Sequence, residues 1–136
     1  EGGNMEIFDN QCSCQNEQKD MLLFQPNEAF MLGNLFQDLY QSYKGFSNYC
    51  VQSSNERQQM LLNVQINEFV AHEINLYLDN HPNDGRMLRL YHEYVRRAKE
   101  ARKEFENHYG PLAVQNSNKN IPFQWIEEPW PWQHQL

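Results

Sequence analysis

The chain of 136 residues holds five histidines, 18 carboxylates and three cysteines, and any chemistry of its own would have to come from their spacing. Glu68 and His72 stand four apart, as do Glu104 and His108, while His72–Glu73 and His92–Glu93 are adjacent pairs. Ligands four apart share a helix face, which is the geometry of helical metal sites. A ferritin-like dimetal centre, however, calls for Glu-x-x-His on each of two helices plus a carboxylate from each of two others. No Glu-x-x-His occurs here, and neither does a Gly-rich phosphate loop, a G-x-S-x-G elbow or an HExxH pair. The reading is therefore of a chain that is not an enzyme, with no catalytic residue, no metal ligand and no cofactor assigned. Cys12 and Cys14 form a Cys-x-Cys pair in a polar stretch, with Cys50 far away and His72 the nearest histidine. A zinc site needs a fourth ligand at sensible spacing, so free thiols are the expectation, with cross-linking under oxidation as the alternative.

The elements that would carry these residues are helical. Ser53-Ser54-Asn55-Glu56 offers a Ser-x-x-Glu capping box before a helical run from Met60 to Leu78. In that run Leu62, Ile66, Phe69, Val70, Ile74, Tyr77 and Leu78 form a wide apolar stripe, with Asn63, Gln65, Asn67 and Glu68 outside it. His81-Pro82-Asn83-Asp84-Gly85 breaks the period, because the residue before proline avoids the helical region and Asn, Asp and Gly favour turns. A second helix follows, in which Met87, Tyr91, Tyr94, Ala98, Ala101 and Phe105 succeed one another at spacings of 4, 3, 4, 3 and 4. Its end is marked by Gly110 and Pro111. Two such helices on a short turn predict an antiparallel hairpin whose alanines let the backbones approach. In that hairpin His108 is expected to be a packed seam residue, and Glu73 to pair with Arg86 or Tyr91 across it.

A hairpin alone buries too little to be stable, so a further element must complete its core. The segment LLFQPNEAFMLGNLFQDLYQSYKGF supplies the candidate, with Pro26 placed to open a short helix and Gly33 to end or kink it. Phe30, Leu35, Phe36, Leu39, Tyr40 and Tyr43 are too many large apolar groups for that segment to bury within itself. The stretch after Gly110 contains four of the six prolines and all three tryptophans, which rules out a regular helix. Pro129-Trp130-Pro131-Trp132 favours an extended, polyproline-like conformation, and tryptophan is enriched at interface hot spots. Trp125, Trp130, Trp132, Pro129 and Pro131, with Phe30, Phe36 and Tyr40, are accordingly the expected partner contacts. Folding of the tryptophans back onto the hairpin is the other reading.

A net charge of −7 and a pI near 5.1 count against nucleic acid as the main partner. Seven of the 11 basic residues lie between Arg86 and Lys103, but acidic residues share the segment. Glu93–Arg97, Arg96–Glu100 and Arg102–Glu106 are spaced four apart, as in a charge-mixed solvated helix. No apolar stretch approaches the ~20 residues of a membrane span, and no charged-then-apolar signal segment opens the chain, which points to folding in the cytosol. Glu1 to Asn4 precede a methionine at position 5 and are open to being non-native.

With these residues in view, LLNVQINEFVAHEINLYLDNHPNDGRMLRLYHEYVRRAKEARKEFENHYGPL followed by WIEEPWPW resembles the CotJB-type spore coat proteins. NLYLDNHP, RLYHEYV and EFENHYGPL carry the likeness over residues 60 to 132. The segment FQPNEAFMLGNLFQDLYQSYKGF resembles the small CotJA-type coat proteins more weakly, with Gln37 and Ser42 where those tend to carry proline. The resemblance implies a coat protein made in the mother-cell cytoplasm, without chemistry of its own, that works by binding other coat proteins. The implied companion is a CotJC-type protein similar to a manganese catalase. Self-association into a four-helix dimer and a metal-binding redox accessory subunit are the rival functions. The expected fold is all-α, with a flexible leader at residues 1–20, an aromatic segment with short helices at 21–50, a helical hairpin at 53–110 and an extended Trp/Pro-rich tail at 111–136. The expected hairpin core is Leu62, Ile66, Phe69, Val70, Ile74, Tyr77, Tyr91, Tyr94, Ala98 and Phe105.

Overall fold

A computed structural model describes residues 23–47, 50–117 and 119–127. The expected leader and the Pro129–Trp132 stretch lie outside them. Helix α1 runs from Pro26 to Leu32, α2 from Glu56 to Asn80 and α3 from Gly85 to Tyr109. No strand occurs among the described residues, only an isolated antiparallel bridge between Leu23 and Phe36. Single 3₁₀ turns at Gln37–Leu39, Val114–Asn116 and Gln124–Ile126 interrupt otherwise irregular chain.

The ends of each helix follow from local chemistry. Pro26 at the first position of α1 lacks the N–H that would go unbonded there, and Gly33 closes the helix in the left-handed region at φ 73° with its N–H on the Ala29 carbonyl. Helix α2 starts later than the Ser53 box predicts. Its N-cap is Asn55, whose Oδ1 accepts the Gln58 N–H at 2.9 Å, while Gln58 Oε1 accepts from the N–H and the hydroxyl of Ser54. A variant of the capping box thus forms two residues downstream, with Asn55 accepting the Gln58 N–H and Gln58 reaching back to Ser54, the residue before the cap. At the turn, Asp84 Oδ1 accepts the Arg86 and Met87 N–H groups at 3.1 and 3.0 Å and so caps α3. Gly110 ends α3 at φ 99°, with its N–H on the Glu106 carbonyl.

Helices α2 and α3 pack along their length, and α1 packs on α2. On α3, Met87, Tyr94, Ala98, Ala101 and Phe105 are buried, with Tyr91 half-buried between them. The facing line on α2 is Met60, Val64, Asn67, Ala71, Ile74 and Leu78, spaced 4, 3, 4, 3 and 4 in mirror of α3. Val64 with Met60 meets Ala101 and Phe105, while Ala71, Ile74 and Leu78 share a cluster with Met87, Tyr91 and Tyr94. A second line, Leu62, Ile66, Phe69, Val70, Glu73 and Tyr77, lies on a different face of α2. Its members Phe69 and Tyr77 meet the N-terminal aromatic segment.

This corrects the single stripe read for α2, which mixed the two lines. Asn67, expected outside the stripe, is 5% exposed. Its side-chain N–H₂ donates to Asn63, to the carbonyl at 2.8 Å and to Oδ1 at 3.0 Å. Helix-interior back-bonding of this kind satisfies the donor without help from α3. His108 is also corrected: it is exposed, with Nδ1 beside the Glu104 carbonyl at 2.9 Å. It falls off the seam because a 3.6-residue helix drifts from a 3.5-residue repeat, and the first turn of α2 offers there Arg57, whose guanidinium lies over the Phe105 ring. Arg97–Glu93 and Arg96–Glu100 form as spaced. Arg102 does not take Glu106 but reaches across the hairpin to Glu68, with Nε at 2.9 Å from Oε1. Cys50, expected as a free thiol, is disulfide-bonded.

Two substitutions in the seam should act in opposite directions. Phe105→Ala removes a ring that is 1% exposed and is expected to cost about 3–5 kcal/mol in urea unfolding. Asn67→Leu exchanges a buried amide, whose oxygen has no hydrogen-bond partner among the described residues, for an apolar group of similar size. It is expected to stabilise by about 1 kcal/mol in the same assay. A destabilisation instead would show that the amide oxygen is satisfied.

Candidate partner-binding surface

The aromatic segment folds into a small closed unit before it meets α2. The Phe24 N–H donates to the Leu35 carbonyl at 2.9 Å, Gln37 Nε2 donates to the Leu23 carbonyl at 2.8 Å, and Ala29 at the centre is fully buried. Leu35 is 2% exposed, and its N–H donates to Glu73 Oε2 of α2 at 3.3 Å. Glu73 thus bonds the N-terminal segment rather than Arg86 or Tyr91, because it stands on the second line of α2, which faces away from α3.

Two aromatic contacts fix the segment. Phe30 meets Phe69 edge-on with centroids 5.7 Å apart, and Phe36 stacks on Tyr77 at 5.0 Å and 22°. Such pairs add to the area they bury. Tyr77 stacks in turn on His81 at 4.2 Å and donates its hydroxyl to Asp84 Oδ2 at 3.1 Å. The segment, the end of α2 and the cap of α3 therefore share one continuous stack. Of the expected contact residues, Phe30 and Phe36 turn toward this chain's own hairpin. Tyr40 is half-buried, its ring edge-on to Phe24 at 5.6 Å.

After α3 the chain turns back along the hairpin. Leu112 packs on Val64, Ala101 and Phe105. Glu106 accepts the Leu112 N–H at 2.9 Å and the Asn116 amide at 3.0 Å. Beyond this strap the apolar side chains are bare: Ile121 is 98% exposed and Ile126 61%, with Phe123 also exposed. Trp125 is half-buried. Trp130, Trp132, Pro129 and Pro131 lie outside the described residues. Leu39 and Tyr43 are the corresponding bare groups of the N-terminal segment, with 68% and 70% exposure. The exposed Ile121, Phe123 and Ile126 were not singled out from the sequence. Their signal was the apolar density of NIPFQWI in a stretch whose prolines forbid a helix that could bury them.

The residues with chemical potential do not converge. His72 and His92 are exposed on different helices, and Glu68 is engaged by Arg102. Among the described residues, no group of three His, Cys, Asp or Glu side chains could hold a metal ion. No described helix is long and apolar enough to cross a membrane.

The cap of α3 gives this region a pH dependence. The Met87 N–H, and after it the Tyr77 hydroxyl and the Arg86 N–H, hold the Asp84 carboxyl below its ordinary range. The Tyr77 phenol is raised, by burial first and by Asp84 second. A depressed carboxyl contributes stability that is present above its unfolded value and is lost as pH falls through the folded one. Asp84→Asn keeps a capping oxygen but cannot titrate. Its melting temperature should therefore fall less steeply than that of the wild type as pH is lowered below about 4. Parallel curves would show that the charge of Asp84 plays no part.

Comparison with known proteins came out on the side of the hairpin and tail. No curated protein and no solved structure matches the chain. The CotJB protein family matches residues 58–133, which take in nearly all of α2, the whole of α3 and the segment after them. That is more than half of the chain, so this protein belongs to the CotJB family and is a spore coat protein.

Proposed function

We propose that this chain is a non-catalytic assembly protein of the spore coat that binds other coat proteins through its C-terminal segment, foremost a CotJC-type partner similar to a manganese catalase. The observation that carries the reading is the exposure of Ile121, Phe123 and Ile126 directly before the Trp-Pro stretch. Isolated exposed apolar groups are ordinary on a protein surface, but a short run of them beside three tryptophans has the makings of a hot-spot cluster. The hairpin serves as the rigid support, because the Glu106 strap fixes where the segment leaves it. Leu39, Tyr43 and Tyr40 are the secondary contacts. Phe30 and Phe36, which pack inward, contribute by holding the N-terminal unit in place. That unit, residues 22–46, is on this reading a CotJA-like module joined to the hairpin, and the protein is made in the mother-cell cytoplasm.

The test is co-purification with a CotJC-type catalase. The full chain is compared with a version ending at Ser117, which keeps the Leu112 and Asn116 contacts, and with the triple change Ile121→Ser, Phe123→Ser, Ile126→Ser. The full chain should retain the catalase, with both variants losing at least about tenfold in affinity, which corresponds to about 1.4 kcal/mol. Equal retention by all three would remove the tail from the interface, and no retention by any would reject the catalase as partner.

A further inference from the structure

Beside the seam, a groove of about 220 Å³ opens between α2 and α3, with Ala71, Val95 and Ala98 as its floor and Glu68, Lys99 and Arg102 around them. The space exists because Ala71 and Ala98, each 8% exposed, carry only a methyl group where the two helices meet. Small-molecule sites begin at about 300 Å³, so this groove fits one large side chain better than a ligand. None of the described residues of the N-terminal unit lines it. The charge around it is one-sided. Glu68 is already bonded by Arg102, whereas Lys99 and, one turn further along α3, Lys103 are exposed and form no ion pair with any described residue. The chain that follows α3 is brought to the mouth of this groove. Leu112 packs on Val64, Ala101 and Phe105, and Glu106, which holds Leu112 and Asn116, stands one turn from Arg102. Trp130 is 13 residues beyond Ser117, and such a length of chain spans up to ~40 Å, so the tether does not keep it from the groove.

We propose that this groove is the docking site of the chain's own tail, with the indole of Trp130 in the groove and Glu127 and Glu128, just before it, on Lys99 and Lys103. The chemistry is complementary on both counts. An indole on an apolar floor beside a lysine and an arginine gains cation–π attraction as well as burial, and the carboxylates meet the two cations that are left without a partner among the described residues. Pro129 and Pro131 flank the ring, so little backbone freedom is lost on docking. A short tether gives an effective concentration in the mM range, at which a contact as weak as a Kd of ~0.1 mM is mostly formed. Ile121, Phe123 and Ile126 then stand on a loop held at both ends, by Glu106 before it and by Trp130 after it. The docking does not rest on the catalase as partner.

All three tryptophans follow Gly110, so the tryptophan fluorescence of the full-length protein reports on this segment alone. With Trp125→Phe as the parent, the emission of Trp130 and Trp132 should be blue-shifted from that of the urea-unfolded chain and should resist quenching by acrylamide. Adding Trp130→Phe should abolish the shift, and adding Trp132→Phe should leave it. Val95→Glu, which puts a carboxylate in the floor, and the pair Lys99→Glu, Lys103→Glu should each weaken docking by about tenfold, read from the quenchable fraction of the emission. Both lysines are exposed, so the reversed pair keeps the test intact if circular dichroism shows that Val95→Glu disturbs the helices. Glu127→Lys and Glu128→Lys, added to the reversed pair, should restore the shift. Parent emission as open to acrylamide as in urea, a shift indifferent to the lysine reversal, or a charge swap that restores nothing would each overturn the proposal. So would a shift that appears only as protein concentration is raised, which would assign the groove to the tail of a second copy. No arm of the experiment involves the catalase, so failure here leaves that partner to its own test.

Discussion

Helix α2 has two apolar lines on its surface, and nearly everything else in the structure answers the need to cover both. One line, from Met60 through Ile74 to Leu78, is met by α3. The other, with Phe69, Glu73 and Tyr77, is met by residues 23–47. A helix with a single apolar stripe can be stabilised by one partner, whereas a helix with two is stable only as the middle layer of three. The connections respect that order. The four-residue turn after Asn80 brings α3 straight back, and the capping carboxylate of that turn is bonded to Tyr77, whose ring carries the N-terminal unit. Loss of either neighbour would therefore be felt at the same corner of the molecule.

Much of this was legible in the residues, and the parts that were not have identifiable causes. The seam of α3 could be read because its opposite face is charged, so one period stands out. On α2 the two lines overlap in sequence, and together they read as one broad stripe that hides the partner of each. Asn67 was placed outside because it is polar, although its position in the 4-3-4-3-4 spacing is that of a seam residue. The spacing was the better guide, since back-bonding to Asn63 makes the amide tolerable inside. The ends of α1 and α3 were legible from Pro26, Gly33 and Gly110, where backbone chemistry leaves few choices. At the start of α2 several capping residues stand in a row, and local pattern alone does not rank Ser53 against Asn55.

Electrostatic partners were the least legible feature. The i,i+4 rule anticipated Arg97–Glu93 and Arg96–Glu100, which lie on one helix. It did not anticipate Glu68–Arg102 or the use of Glu106 to hold the returning chain, because both depend on what the fold brings close. The candidate contact residues divide on the same ground. Aromatic density singled out the segments, but which rings point inward depends on the second line of α2. Phe30 and Phe36 are drawn onto it, so that Leu39 and Tyr43 are the side chains left bare.

The family boundary has a physical consequence for the two-faced helix. The match begins at residue 58, after the N-terminal unit and just inside α2. A chain limited to the matched region would keep the α3 seam but lose what covers Phe69 and Tyr77 and what bonds Glu73. Water would serve the Glu73 carboxylate but not the apolar faces of Phe69 and Tyr77, so such a chain would gain from a cover supplied from outside. Here residues 23–47 supply it from within the same chain, at no cost in translational entropy and at a fixed ratio of one to one. Among the described residues the exposed Leu39, Tyr43, Ile121 and Ile126 take no part in covering either line of α2.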